Sequence, residues 1–210
     1  MNTNHNNVGW GFWLAWFLAS IMGFGVGSLI GMSVSYALLS GMGITEEFGV
    51  AHLIMFGTVL GAMSGFLQWI VLREKVAQAG WWVLANALGF AIAGGTLGAI
   101  GINENYFTAG ILFTAVFGVT GGIMQWLILR IQVVRAGWWI LASIFGSLVG
   151  AIGIPAANAI SATVPDNYVL STLVFGLLFG AGLGAIPGAA LVWLLRQSPS
   201  VDVEGLATAH

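Results

Sequence analysis

Gln68 and Gln125 each stand near the end of a long apolar stretch, in a chain with few other groups able to do chemistry. A primary amide donates and accepts hydrogen bonds without charge, so in apolar surroundings it can hold a lipid head, a quinone carbonyl or a pigment substituent without desolvating an ion. Gln68 follows Gly57, Gly61 and Gly65 by eleven, seven and three residues, which at about 100° per residue puts it on the glycine face of a helix. Its amide is therefore expected to meet protein and not lipid. Asn86 and Ser143 each lie five residues after a Gly-Trp opening, at Trp81 and Trp138, and Ser20 takes the matching place near the N-terminus. These five residues, Ser20, Gln68, Asn86, Gln125 and Ser143, are expected to share one depth as a candidate ligand-binding layer. The plainer reading is hydrogen-bonded glue between helices, at about 0.6 kcal/mol per pair in a bilayer.

His52 is the one histidine inside an apolar stretch; His5 and His210 lie near the chain ends. An imidazole there is a candidate axial ligand for haem iron, chlorophyll magnesium or another metal. It has no second histidine at helical spacing, so no metal site is assigned and an ordinary interfacial histidine is the simpler reading. The six apolar stretches hold no Asp, Glu, Lys or Arg and the chain has no cysteine, which removes the usual marks of proton relays, ion paths, thiolate catalysis and cysteine-held metal. Ala62-Met63-Ser64-Gly65 is one residue out of register with the Gly-x-Ser-Gly motif of rhomboid proteases, and no later stretch supplies a histidine base. An enzyme is not expected, and no cofactor is specified by the residues.

The elements that position these groups follow from composition. Of 210 residues 59% are hydrophobic and 6% charged, against about 25% charged in a soluble domain, so the bilayer is the expected solvent. A span needs roughly 20 apolar residues, and such stretches cover 8–39, 48–72, 80–102, 106–129, 137–164 and 168–195. The reading is an all-α integral membrane protein of six transmembrane helices, with short tails at 1–7 and 197–210. Met1 to Asn7 carries no Lys or Arg and leads into a stretch much longer than a signal-peptide core, so a retained first helix is expected.

The stretches are related to one another. A shift of 57 residues lays 56–89 on 113–146 with 16 identities in 34 positions, among them the two glutamines, Trp69 with Trp126, Arg73 with Arg130, and Ala79-Gly80-Trp81-Trp82 with Ala136-Gly137-Trp138-Trp139. A fainter copy is split between the chain ends. A shift of 66 puts Leu18-Ala19-Ser20 on Leu84-Ala85-Asn86, and Gly118, Gly122, Leu129 and Arg130 on Gly184, Gly188, Leu195 and Arg196, with Leu191 at the third glutamine position. This reads as three parallel, glycine-rich helical-hairpin repeats. Their GxxxG spacing is a glycine-zipper pattern, suited to close packing within the chain or against another subunit.

All five Lys and Arg fall on the side of the two termini, while Glu46, Glu47, Glu104 and Asp166 fall on the other. The positive-inside rule then places both termini in the cytoplasm, or the stroma, of a bacterial inner or thylakoid membrane. Trp69 with Arg73 and Trp126 with Arg130, four residues apart, are expected to anchor that boundary together with Trp81, Trp82, Trp138 and Trp139. A net charge of −2 without a basic run excludes nucleic acid and an anionic membrane surface as implied partners. The expected partners are the lipid bilayer and either another membrane protein or a second copy of the chain. The expected function is a non-enzymatic membrane subunit or scaffold able to bind lipid, pigment or quinone. The alternative is a channel or carrier for a small neutral solute.

Overall fold

The computed structural model describes residues 8–44, 49–100, 106–164 and 167–197. The tails at 1–7 and 198–210 and the acidic residues Glu46, Glu47, Glu104 and Asp166 lie outside them. Seven helices account for nearly all of the described chain: α1 Trp10–Gly41, α2 Val50–Leu72, α3 Trp81–Ile100, α4 Tyr106–Leu129, α5 Trp138–Gly150, α6 Gly153–Thr163 and α7 Tyr168–Gln197. Counted with α5 and α6 as one, six helical segments are long and apolar enough to cross a membrane. No strand occurs among the described residues.

The apolar stretch over 137–164, expected as one helix, is interrupted at Ala151 and Ile152. Pro155 is the cause. It has no N–H for the Ala151 carbonyl, and its ring crowds that carbonyl from four residues on. Ala151 accepts instead from the Ile154 N–H at 2.9 Å, a tighter turn that separates α5 from α6.

Neighbours in sequence are neighbours in space. Helix α1 packs on α2, α2 on α3, α3 on α4 and α4 on α5, α5 and α6 lie against α7, and α7 closes the ring on α1. At this seam the Arg196 Nε donates to the Val8 carbonyl at 2.7 Å. Glycines let the backbones approach. A Cβ on Gly61 of α2 would lie 2.7 Å from the Asn86 carbonyl carbon of α3, and one on Gly180 of α7 would lie 2.7 Å from the Ser20 carbonyl oxygen of α1. Both contacts are backbone, so neither can yield by a side-chain rotation. The outward faces stay apolar, with Leu14, Leu18 and Met22 on α1 and Leu84, Leu88 and Ile92 on α3 exposed at four-residue spacing. Such stripes suit hydrocarbon.

Two short connections fix how α2 meets α3 and α4 meets α5. In each, a valine N–H returns to the last leucine of the helix at 2.9 Å, Val76 to Leu72 and Val133 to Leu129. Each then passes through a left-handed residue, Gln78 at φ 57° and Arg135 at φ 61°. Gln132 ties one turn to the other: its Oε1 accepts from the Ala77 N–H at 2.7 Å and its Nε2 donates to the Ala77 carbonyl at 3.0 Å.

The interior holds two apolar clusters. One gathers Trp16, Trp82 and Trp139 with Leu72, Leu129 and Leu194 near the turns; the other gathers Phe24, Phe90, Phe113, Phe117 and Phe179 farther in.

Candidate functional site

Gln68 is the centre of the polar residues. Its Oε1 accepts from the Trp82 indole Nε1 at 2.9 Å and from Asn86 Nδ2 at 3.4 Å, while its Nε2 donates to Ser20 Oγ at 3.1 Å. Asn86 Nδ2 also donates to the Trp82 carbonyl at 2.9 Å, which fixes the orientation of that amide. On the other side of the bundle Gln125 Oε1 accepts from Trp139 Nε1 at 3.0 Å, and Ser143 Oγ donates to the Trp139 carbonyl at 2.9 Å. Gln68, Asn86, Gln125 and Ser143 all line one small central cavity, and Ser20 reaches them through Gln68. The five residues expected at one depth are thus brought together, and all are buried.

The anchors divide into two kinds. Trp81 and Trp138 are 60% and 55% exposed, whereas Trp82 and Trp139 are 0% and 1% exposed and belong to the core, not to the lipid-facing boundary. Consecutive helical residues point about 100° apart, so in each Trp-Trp pair one ring turns outward and the next inward. The inward indole then needs an acceptor, which the glutamine of the preceding helix supplies. Trp69 and Trp126 are half-buried beneath guanidinium groups, with Arg73 Cζ 6.0 Å and Arg130 Cζ 5.2 Å from the ring centroids.

A third tryptophan completes the core. Trp16 of α1 meets Trp82 and Trp139 edge to face, at centroid distances of 5.8 and 6.1 Å, and those two rings are 5.4 Å apart. The signal for Trp16 was present in the chain, because the 66-residue shift lays it on Trp82. Its Nε1 is buried with no hydrogen-bond partner, as is Asn86 Oδ1. The aligned position that would supply an acceptor to Trp16 is Leu191, which packs in the same cluster.

The cavity is bounded by Trp16 and Trp139 at one end and by Phe24, Phe117 and Leu183 at the other, and its volume is ≈ 10 Å³. That is room for about one water and not for a quinone or pigment ring. Amides, hydroxyls and indoles surround it, able to bind a small neutral hydrogen-bonding species and without a group to act as strong acid, base or nucleophile. Stacking of Phe90 on Phe117, with centroids 3.5 Å apart, and the edge contact of Phe24 on Phe179 fill the axis beyond it.

His52 is not part of this layer. It lies sixteen residues before Gln68 on α2, about 24 Å along the helix. The ring is 5% exposed and its centroid is 4.7 Å from that of Tyr36. Among the described residues neither ring nitrogen has a hydrogen-bond partner, and no three His, Cys, Asp or Glu come together as a metal-binding group.

No protein family, curated protein or solved structure compared with the chain matches it.

Proposed function

We propose that the chain is a non-enzymatic integral membrane subunit or scaffold, a closed bundle of three glycine-rich helical hairpins that packs against membrane partners through its apolar exterior. The observation that carries this reading is the packing of the interior: among the described residues a tryptophan triad, a polar layer with ≈ 10 Å³ of space and a phenylalanine cluster succeed one another. The hairpin interpretation draws support from the glutamine–indole bonds. Both join residues 14 apart in the chain, at 2.9 and 3.0 Å, across turns that share their left-handed residue. In this reading α7 and α1 are the third pair, closed across the chain ends.

Glycines that meet backbone inside the bundle are not available to another subunit, so partners, lipid, pigment or quinone meet the outer aliphatic stripes instead. The basic end of the bundle faces the cytoplasm. The transport alternative calls for a polar-lined path to Gln68, Gln125 and Asn86 from one side, and a space the size of one water gives it no support. The test is extraction in mild detergent followed by native mass spectrometry and an absorption spectrum. Co-purification with a stoichiometric membrane protein supports the scaffold reading. A monodisperse chain with no protein companion under extraction gentle enough to preserve membrane complexes contradicts it.

A further inference from the structure

We propose that the seam between α1 and α7 holds a phospholipid, with its phosphate on Arg196 and one acyl chain laid over Ala189 and Ala185. The inference rests on the membrane-scaffold reading and names a ligand for it. Where the other two basic ends carry Trp69 and Trp126, the aligned residue is Val192. No ring covers Arg196 from one turn back, and an open groove of ≈ 290 Å³ replaces it, walled by Trp10 and Trp13 of α1 and by Ala185, Ala189, Val192 and Arg196 of α7.

Residues 185, 189, 192 and 196 form one stripe of α7, and the eleven residues from Ala185 to Arg196 span about 16 Å. That is close to half of a hydrocarbon core of about 30 Å, the depth of one leaflet. At the mouth, Arg196 Nε is held by the Val8 carbonyl. Gly9 lies beside the guanidinium, with its Cβ position 3.5 Å from Nη2. No acidic group pairs with Arg196 among the described residues, and a guanidinium matches a phosphate through two parallel N–H donors. Trp10 on the groove wall is 82% exposed, and an amphipathic ring is favoured at headgroup level. A second groove of ≈ 310 Å³, between α3 and α4, is lined by Gln78, Trp81, Leu84 and other uncharged residues and has no cation at its mouth.

The test is native mass spectrometry of delipidated protein titrated with phosphatidylglycerol or with diacylglycerol of the same chains. A charge-assisted phosphate contact predicts about tenfold preference for the phosphatidylglycerol adduct. Arg196→Gln abolishes the preference, Val192→Trp abolishes it while keeping the charge, and Arg73→Gln leaves it unchanged. Equal adducts for the two lipids, or a preference untouched by Arg196→Gln and Val192→Trp, overturns the proposal. So does a dimer of the chain that Val192→Trp disperses, since a second copy would then occupy the groove. None of these outcomes depends on whether a protein partner co-purifies.

A different observation carries a second site. We infer that one water occupies the central cavity, accepting from Trp16 Nε1 and donating to Asn86 Oδ1, the buried unpartnered polar atoms of two residues that line it. Ser143 Oγ on the same wall offers a lone pair for its other proton. In detergent-solubilised protein, the Trp16 indole proton, assigned with Trp16→Phe, shows cross-relaxation with water, and the Trp82 and Trp139 indole protons, bound to glutamines, do not. Absence of the Trp16 signal, or equal signals from all three, overturns the inference.

Discussion

At the α2/α3 junction Gln68 takes the Trp82 indole proton while Trp69 lies beneath Arg73; at the α7/α1 seam the aligned residues are Leu191 and Val192, and Trp16 and Arg196 are left without those partners. The α4/α5 junction follows the first pattern with Gln125, Trp139, Trp126 and Arg130. Exchanging a neighbouring Gln-Trp for Leu-Val therefore acts in two directions at once. Inward, it removes an acceptor from the core and leaves the Trp16 Nε1 without a partner among the described residues. Outward, it removes a ring from the surface and opens a groove below a cation. Helix packing is kept while Trp16 loses the acceptor its counterparts have, because glycine contacts set the backbone spacing and side chains set the chemistry.

Gln68→Leu breaks the α2/α3 junction most severely. It strips the acceptor from Trp82 Nε1 and the donor from Ser20, while Asn86 Nδ2 keeps the Trp82 carbonyl. With buried groups left unpaired at about 1–3 kcal/mol each, a loss of about 3 kcal/mol is expected in reversible unfolding from mixed micelles. Gly61→Ala tests the backbone spacing. Its new Cβ meets the Asn86 carbonyl carbon at 2.7 Å, so overpacking of about 2 kcal/mol is expected. At the seam, a Cβ on Gly188 meets the Trp16 ring at 2.6 Å; the buried indole has little room to give, and Gly188→Ala is expected to cost about 2 kcal/mol in the same assay. Gln125→Leu orphans only Trp139 Nε1 and is expected to cost about 1 kcal/mol. Leu191→Gln is the smallest change, giving Trp16 the acceptor its counterparts have, with a gain of about 0.6 kcal/mol.

Much of this was legible in the residues. A 20-residue apolar run without charge has few alternatives to a buried or membrane helix, and the i, i+4, i+8 glycines with Gln68 on their face determined which side of α2 would meet α3. The break at Pro155 was not legible from hydropathy, because α5 and α6 are apolar on both sides of it and only backbone hydrogen bonding records the interruption. The roles of Trp82 and Trp139 were hidden for another reason: tryptophan suits both a core and a membrane boundary, and a rotation of one residue decides between them. Trp16 escaped because its copy is separated from its partner helix by nearly the whole chain. The size of the central cavity depends on ring packing at the ångström scale, which spacing alone does not encode.

Osmotic stopped-flow on vesicles containing the purified protein tests the closed axis most directly. A closed axis predicts water and glycerol permeabilities equal to those of protein-free vesicles. Permeability above that background, abolished by Gln68→Leu in protein that still folds, would contradict it.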